Sequence, residues 1–212
     1  CWDCRKKFMS LRCLLLAILP STESSRTALN QNGFILSMNK TKKPADRLIF
    51  HVDVNSAFLS WESARRMKEG LPDLRDIPAC IGGDPAKRTG IVVAKSIPAK
   101  KCGVQTGEPV AMALRKCPNM VIVPSDFDLY VKCSRAFKKI CASYTPVMES
   151  FSIDEVFLDM TGTSLLYPDP IAAAHEIKDR ISDELGFTVN VGISTNKLLA
   201  KMASDFEKPN KV

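Results

Sequence analysis

A chain of 212 residues, 45% hydrophobic and 25% charged, has room for one good core or two small domains and has the composition of a soluble globular protein. No apolar run approaches the roughly 18 to 20 residues that a membrane-spanning helix needs, so no membrane role is expected. The formal net charge of +7 is unevenly spread: residues 1–46 hold 8 Lys+Arg against 3 Asp+Glu, a net of +5, and residues 47–212 hold 22 against 20. Within the latter, residues 84–139 hold 11 basic and 4 acidic side chains, a local excess that suits a phosphate-rich partner.

Residues 1–46 are expected to be a disordered leader foreign to the fold. The apolar Leu11 to Pro20 stretch behind Arg5, Lys6, Lys7 and Arg12 superficially resembles a signal peptide. It lacks a small-residue cleavage site, and Met38 is the expected natural start. The eight cysteines show one Cys-x-x-Cys, Cys1 to Cys4, and no other paired metal-ligand spacing. They are read as reduced thiols in a cytoplasmic protein.

A strand is predicted over 47–54, then a helix over about 56–69 and a Pro- and Gly-punctuated stretch from Gly70. Ile77 to Ile81 reads as a strand, Gly82-Gly-Asp-Pro85 as a turn, and Gly90 to Ala94 as another strand. Short helices follow over 95–102 and 109–116, then an extended segment at 121–124 and a helix from about Leu129 to Ser143. Ile171, Ala174, Ile177, Ile181 and Leu185 mark one helical face at 3.6-residue spacing, which Gly186 stops. A strand runs from Thr188 to Ile193, and Asn196 caps a last helix whose apolar face is Leu198, Leu199, Met202 and Phe206.

Two segments break the hydrophobic pattern. Phe151-Ser-Ile-Asp-Glu-Val-Phe-Leu-Asp-Met160 sets Asp154 and Glu155 inside a β-prone run, and Arg47-Leu-Ile-Phe-His-Val-Asp53 ends a strand on a carboxylate. An unpaired buried carboxylate costs on the order of several kcal/mol, so a cation is expected there. Hard oxygen donors without a Cys-His cluster favour Mg²⁺ over Zn²⁺. Read alone, Asp53 serves equally as a cap for the helix that follows, and Asp154 and Glu155 as part of an exposed hairpin turn.

Asp53-Val-Asn-Ser-Ala-Phe58, Ser152-Ile-Asp-Glu155 and Gly192-Ile-Ser-Thr-Asn-Lys-Leu-Leu-Ala-Lys-Met-Ala-Ser-Asp205 followed by Lys208-Pro-Asn210 occur in one order. Together they resemble the Y-family translesion DNA polymerases, in the branch of bacterial DNA polymerase IV and UmuC. The resemblance covers about Arg47 to Val212. It implies an α+β fold, with a ferredoxin-like βαββαβ palm (47–69 and 127–207), inserted α/β fingers (70–126) and the start of a linker at 208–212. It also implies template-directed transfer of deoxynucleotides from a dNTP to a primer 3′-hydroxyl with two Mg²⁺ ions, for which Mn²⁺ can substitute. Asp53, Asp154 and Glu155 are then the catalytic carboxylates and metal ligands, joined by the Val54 carbonyl. Phe58 is the steric gate against a 2′-hydroxyl, and Lys100 and Lys197 contact the triphosphate. Asp159 is read as structural.

The sequence departs from the family pattern at Ile97, where many members have Tyr, at Lys100, where they have Arg, and at Ser56. Lys100 neutralises phosphate without the bidentate geometry of Arg. The resemblance implies further thumb and little-finger domains beyond Val212, so DNA grip and activity of these 212 residues are expected to be weak. Primer-template DNA and dNTP are the expected partners of a monomer, with a sliding clamp only for a full-length protein. Two other readings stay open: a non-catalytic protein- or DNA-binding module, and a template-independent palm enzyme such as a nucleotidyl cyclase.

Overall fold

The computed structural model describes residues 47–83 and 90–212. The expected leader and the Asp84-Pro85 end of the expected turn lie outside the described residues. The chain is mixed α/β, with elements in the order β1 (Ile49–Val54), α1 (Ala57–Lys68), β2 (Ala79–Gly82), β3 (Val92–Lys95), α2 (Ile97–Lys101), α3 (Val110–Lys116), β4 (Val121–Pro124), α4 (Phe127–Ala142), β5 (Met148–Ser150), β6 (Glu155–Asp159), α5 (Pro170–Leu185), β7 (Val189–Ser194) and α6 (Lys197–Phe206).

β1 is the organising strand. It pairs antiparallel with β6 on one side and β7 on the other, giving a four-stranded sheet in the order β5-β6-β1-β7. Because side chains alternate across a strand, Phe50, Val52 and Val54 share one face with Val156, Leu158, Val189 and Val191. That face packs on Leu59 and Trp61 of α1, Tyr130 and Phe137 of α4, and Ala174, Ile177 and Ile181 of α5 in one continuous core. Ile49, His51 and Asp53 take the opposite face, where Ile49 and Phe157 meet Ala200 of α6. Every β1 residue is therefore buried, since both faces are covered.

The chain between α1 and α4 builds a second, three-stranded sheet in the order β3-β2-β4. It has its own apolar cluster of Cys80, Val92, Ala99, Val104, Val110 and Ala113. Ser96 joins α2 to this sheet: its hydroxyl donates to the Ile77 carbonyl (2.7 Å) and accepts from the Ala79 (3.0 Å) and Ala99 (3.2 Å) amides.

Helix ends follow the expected chemistry. Asn196 Oδ1 accepts from the Leu199 amide at 2.9 Å, and Gly186 closes α5 in the left-handed region at φ 80°, where a Cβ is unfavourable. Asp53 does not cap α1. It is a strand residue, and the N-cap position belongs to Ser56, at φ 48° and without a side-chain cap bond.

Two predicted helix faces need correction. On α5, Ala174, Ile177 and Ile181 are buried but Ile171 is 60% exposed. On α6 the expected face is turned outward: Leu198, Leu199, Met202 and Phe206 are all exposed, while Ala200 and Ser204 are buried. The cause is a close approach of helix to strand. A Cβ on Gly192 of β7 would lie 2.0 Å from the Ala200 carbonyl oxygen and 2.4 Å from the Ser204 amide nitrogen. Only a stripe of small residues fits at that separation, so the helix turns its large apolar residues away.

Candidate active site

Asp53 and Glu155 face each other as partners in the β1-β6 register, and Asn190 of β7 is the partner of Asp53 on its other side. One row across the sheet therefore carries Asn190, Asp53 and Glu155, all on the α6 face, with Asn190 and Asp53 buried and Glu155 partly exposed. Asp154 stands just before β6, and its carbonyl accepts from the Val54 amide at 3.0 Å, which draws the loop to the end of β1.

That loop is fastened from the core side by α4. Ser134 donates to the Ile153 carbonyl, and Lys138 Nζ donates to the Ser152 carbonyl at 2.6 Å and Ser150 Oγ at 2.7 Å. Ser152 Oγ then donates to Asp154 Oδ1 at 2.6 Å. Asp154 thus owes its place to a helix nearly twenty residues upstream.

Each carboxylate has one anchored oxygen. Lys208 holds Asp53 Oδ2, Ser152 holds Asp154 Oδ1, and Lys201 with His51 Nε2 (3.3 Å) holds Glu155 Oε2. Asp53 Oδ1, Asp154 Oδ2 and Glu155 Oε1 take no hydrogen bond among the described residues. The backbone on either side of Lys208 is held: Asn190 Nδ2 donates to the Ser204 (2.9 Å) and Glu207 (2.8 Å) carbonyls, and the Val191 amide donates to the Lys211 carbonyl (3.0 Å).

The electrostatics of the carboxylates differ. Burial pushes the Asp53 carboxyl up, Lys208 pulls it back without cancelling the shift, and Glu155 and Asp154 add repulsion. Burial also raises Glu155, but Lys201 and His51 together outweigh it and hold Glu155 below its ordinary value. Lys208 loses to burial but gains more from Asp205 and Asp53, and stays firmly charged. Burial therefore disfavours the charged form of Asp53 by more than Lys208 favours it, and a further cation at its free oxygen would help offset that desolvation.

Among the described residues no three His, Cys, Asp or Glu side chains form a ready-made metal cage. The donor set nevertheless fits a hard divalent cation. Three carboxylates offer three uncommitted oxygens, and both lysines present are flexible amines, more than a third exposed, that can yield to an ion.

The other predicted residues are less closely grouped. Val54 ends β1 next to Asp53. Phe58, half-buried in the first turn of α1, packs on Tyr130 (4.7 Å between centroids) and Trp61 (5.9 Å). Lys100 is exposed and lines a cleft of about 340 Å³ with Ser56, Lys95, Ser96, Ile97 and Thr106. Lys197 is not brought to the carboxylates. Its Nζ pairs with Glu149 and stands 5.7 Å from the Phe157 ring centre. The carboxylate that Lys197 meets is therefore Glu149, not one of the three predicted ligands. Asp159 accepts from the Thr161 amide (3.0 Å) and hydroxyl (2.5 Å), which are local bonds, and meets Arg47 at 3.5 Å across the β1-β6 ribbon.

Sequence reasoning missed His51, Lys201, Lys208 and Asn190. The signals were present: His51 is a polar residue inside an apolar strand two positions before Asp53, the pleat repeat that puts both on one face. Lys208 heads the Lys-Pro-Asn motif already singled out.

Residues 52–205 match the impB/mucB/samB family, and the chain belongs to that family. The resemblance to Y-family DNA polymerases drawn from the motifs therefore holds. Among curated proteins, the chain is 52% identical over 167 residues to DNA polymerase IV of Clostridium acetobutylicum, covering 78% of this chain and 42% of that protein. It is 43% identical over 166 residues to DNA polymerase IV of Acetivibrio thermocellus, covering 78% and 40%. Among solved structures, DinB from Sulfolobus solfataricus superposes with a TM-score of 0.68 at 26% identity, over 78% of this chain and 48% of that one. An insertion ternary complex of Dbh DNA polymerase gives 0.68 at 27%, again over 78% and 48%. The chain spans about two fifths of the length of the curated relatives it matches.

Proposed function

We propose that this chain is the catalytic part of an error-prone, translesion DNA polymerase that adds deoxynucleotides to a primer 3′-hydroxyl. The observation that carries the reading is the Asp53-Glu155 row at the end of β1, with Asp154 beside it, inside the stretch that matches the family. The four-stranded sheet, with helices after its first and third strands in sequence, supports a ferredoxin-like palm. The three-stranded sheet with α2 and α3 supports the inserted fingers, and 47–69, 70–126 and 127–207 remain the proposed boundaries.

Two Mg²⁺ ions, when bound, lower the pKa of the primer hydroxyl and neutralise the triphosphate and leaving group. Asp53, Asp154 and Glu155 would hold them through their uncommitted oxygens, with the Val54 carbonyl as a further ligand. Lys208, already at Asp53, is placed to move to phosphate when cations replace it at the carboxylate. It takes the triphosphate role assigned to Lys197 on sequence. Lys100 and Lys95 offer cationic contacts along the cleft they line with Ser56. Phe58, backed by Trp61 and Tyr130, would form a stiff wall against the 2′-position. Primer-template DNA is the partner, a sliding clamp belongs to the full-length protein, and contacts to phosphate make binding fall steeply with salt.

Single-nucleotide primer extension tests this in a chimera joining this chain to the remaining C-terminal part of the Clostridium acetobutylicum relative. Asp53→Ala or Asp154→Ala is expected to abolish Mg²⁺-dependent extension, and Phe58→Ala to raise ribonucleotide relative to deoxynucleotide incorporation. Retention of more than a few per cent of activity in either aspartate variant contradicts the metal assignment. An unchanged sugar preference returns Phe58 to the core.

A further inference from the structure

His51 carries two ring nitrogens into the interior and is itself fully buried. Both nitrogens have partners: Nδ1 lies 2.7 Å from Ser204 Oγ, and Nε2 lies 3.3 Å from Glu155 Oε2. The ring stands against Phe157, centroids 4.6 Å apart, so it has little freedom to turn. A bare ring nitrogen facing a carboxylate oxygen is repulsive, and Nε2 therefore carries a hydrogen and donates to Glu155.

Ser204 makes that assignment possible. Its hydroxyl can donate to Nδ1 of a neutral ring, or accept from Nδ1 of a charged one while donating to the Lys201 carbonyl 2.8 Å away. In both cases Nε2–H points at Glu155. Lys201 meets the same oxygen from a partly exposed, flexible stem, which brings charge but little direction. The terminal torsion of a glutamate is soft, and a buried, doubly held imidazole is the group here able to fix its plane.

We propose that His51 is a positioning residue for Glu155: backed by Ser204, it pins Oε2 and so leaves Oε1 to a divalent cation. This rests on the metal-binding reading of Asp53, Asp154 and Glu155. Groups that hydrogen-bond a ligating side chain commonly change metal affinity by 10- to 100-fold when removed.

Titration of Mn²⁺ into the 212-residue chain, with free ion counted by electron paramagnetic resonance, reads this without turnover. His51→Phe, which keeps a ring against Phe157, is expected to weaken Mn²⁺ binding about tenfold. His51→Gln, which restores an N–H near the Nε2 position, recovers most of it, and Ser204→Ala gives a smaller loss. On a Glu155→Gln background His51→Phe causes no further loss, because the two act as one unit. An equal loss on both backgrounds, or wild-type affinity in His51→Phe, overturns the inference. If His51→Phe fails to fold, Ser204→Ala decides, and unchanged affinity there overturns it. Binding that Asp53→Asn removes but His51→Phe leaves alone defeats only this inference. A wild-type chain that binds no Mn²⁺, or an Asp53→Asn chain that binds as wild type, defeats the metal reading and this inference with it.

Discussion

The two faces of the β1-β6 ribbon are built from alternating residues of the same short strands, yet they do different work. On one face Phe50, Val52, Val156 and Leu158 are buried among apolar side chains of three helices. On the other, His51, Asp53 and Glu155 lie under a single helix that contributes Ala200 and Ser204. The first face holds the sheet together through buried area. The second leaves an electrostatic demand that lysines satisfy in part, and it is there that chemistry can be placed. The apolar core and the carboxylate row are thus separated by the pleat of one strand, whose successive side chains point to opposite faces.

The largest effect that sharpens this contrast is expected on the apolar face. Phe50→Ala should cost about 3 to 5 kcal/mol, as large-to-small changes in a closed core do, and denaturant unfolding would show it. A cost near zero would mean the core face is misassigned. Next comes Gly192→Ala, whose new methyl meets backbone of α6. It is expected to cost roughly 1 to 3 kcal/mol or more, and to dislodge Lys201 and Ser204 from the site. Wild-type stability with intact divalent-cation binding would show that α6 is not held as described.

Smaller and opposite effects are expected from the two facing carboxylates. Asp53 has a folded-state value raised by burial, so its contribution is favourable below the unfolded value near 4 and is lost as pH rises through the folded value. Asp53→Asn should therefore gain stability over wild type as pH rises from about 4 to 7. Glu155, net lowered by Lys201 and His51 against burial, contributes above its unfolded value near 4.3 and loses that contribution as pH falls through its folded value. Glu155→Gln should then be less stable than wild type at neutral pH, with the deficit closing in acid. Thermal melts of both variants at several pH values check the signs, and equal signs would break the contrast. The smallest effect belongs to the outer stripe of α6: Leu198→Ser and Phe206→Ser should each shift stability by no more than about 0.5 kcal/mol. A larger loss would show that the stripe is covered.

Much of this was legible in the sequence, for identifiable reasons. Strand and helix order followed from periodicity and from punctuation at Gly186 and Asn196, which are local. The pairing of Asp53 with the Asp154-Glu155 segment was legible because both break an apolar run. The orientation of α6 was not, since its pattern offers two stripes and the choice between them depends on Gly192, a glycine in a different element. Lys197 and Lys208 were equally basic on paper. Only the turn of α6 and the tail held by Asn190 bring Lys208, and not Lys197, to Asp53.

Calorimetric titration of a deoxynucleoside triphosphate into the 212-residue chain with Mg²⁺ tests the location of the site most directly. The wild-type chain should bind, Asp53→Ala should abolish binding, Lys208→Ala should weaken it by about tenfold or more, as loss of a charge-assisted hydrogen bond does, and Lys197→Ala should leave it unchanged. Binding that survives Asp53→Ala, or that Lys197→Ala removes while Lys208→Ala does not, would contradict a nucleotide site at the end of β1.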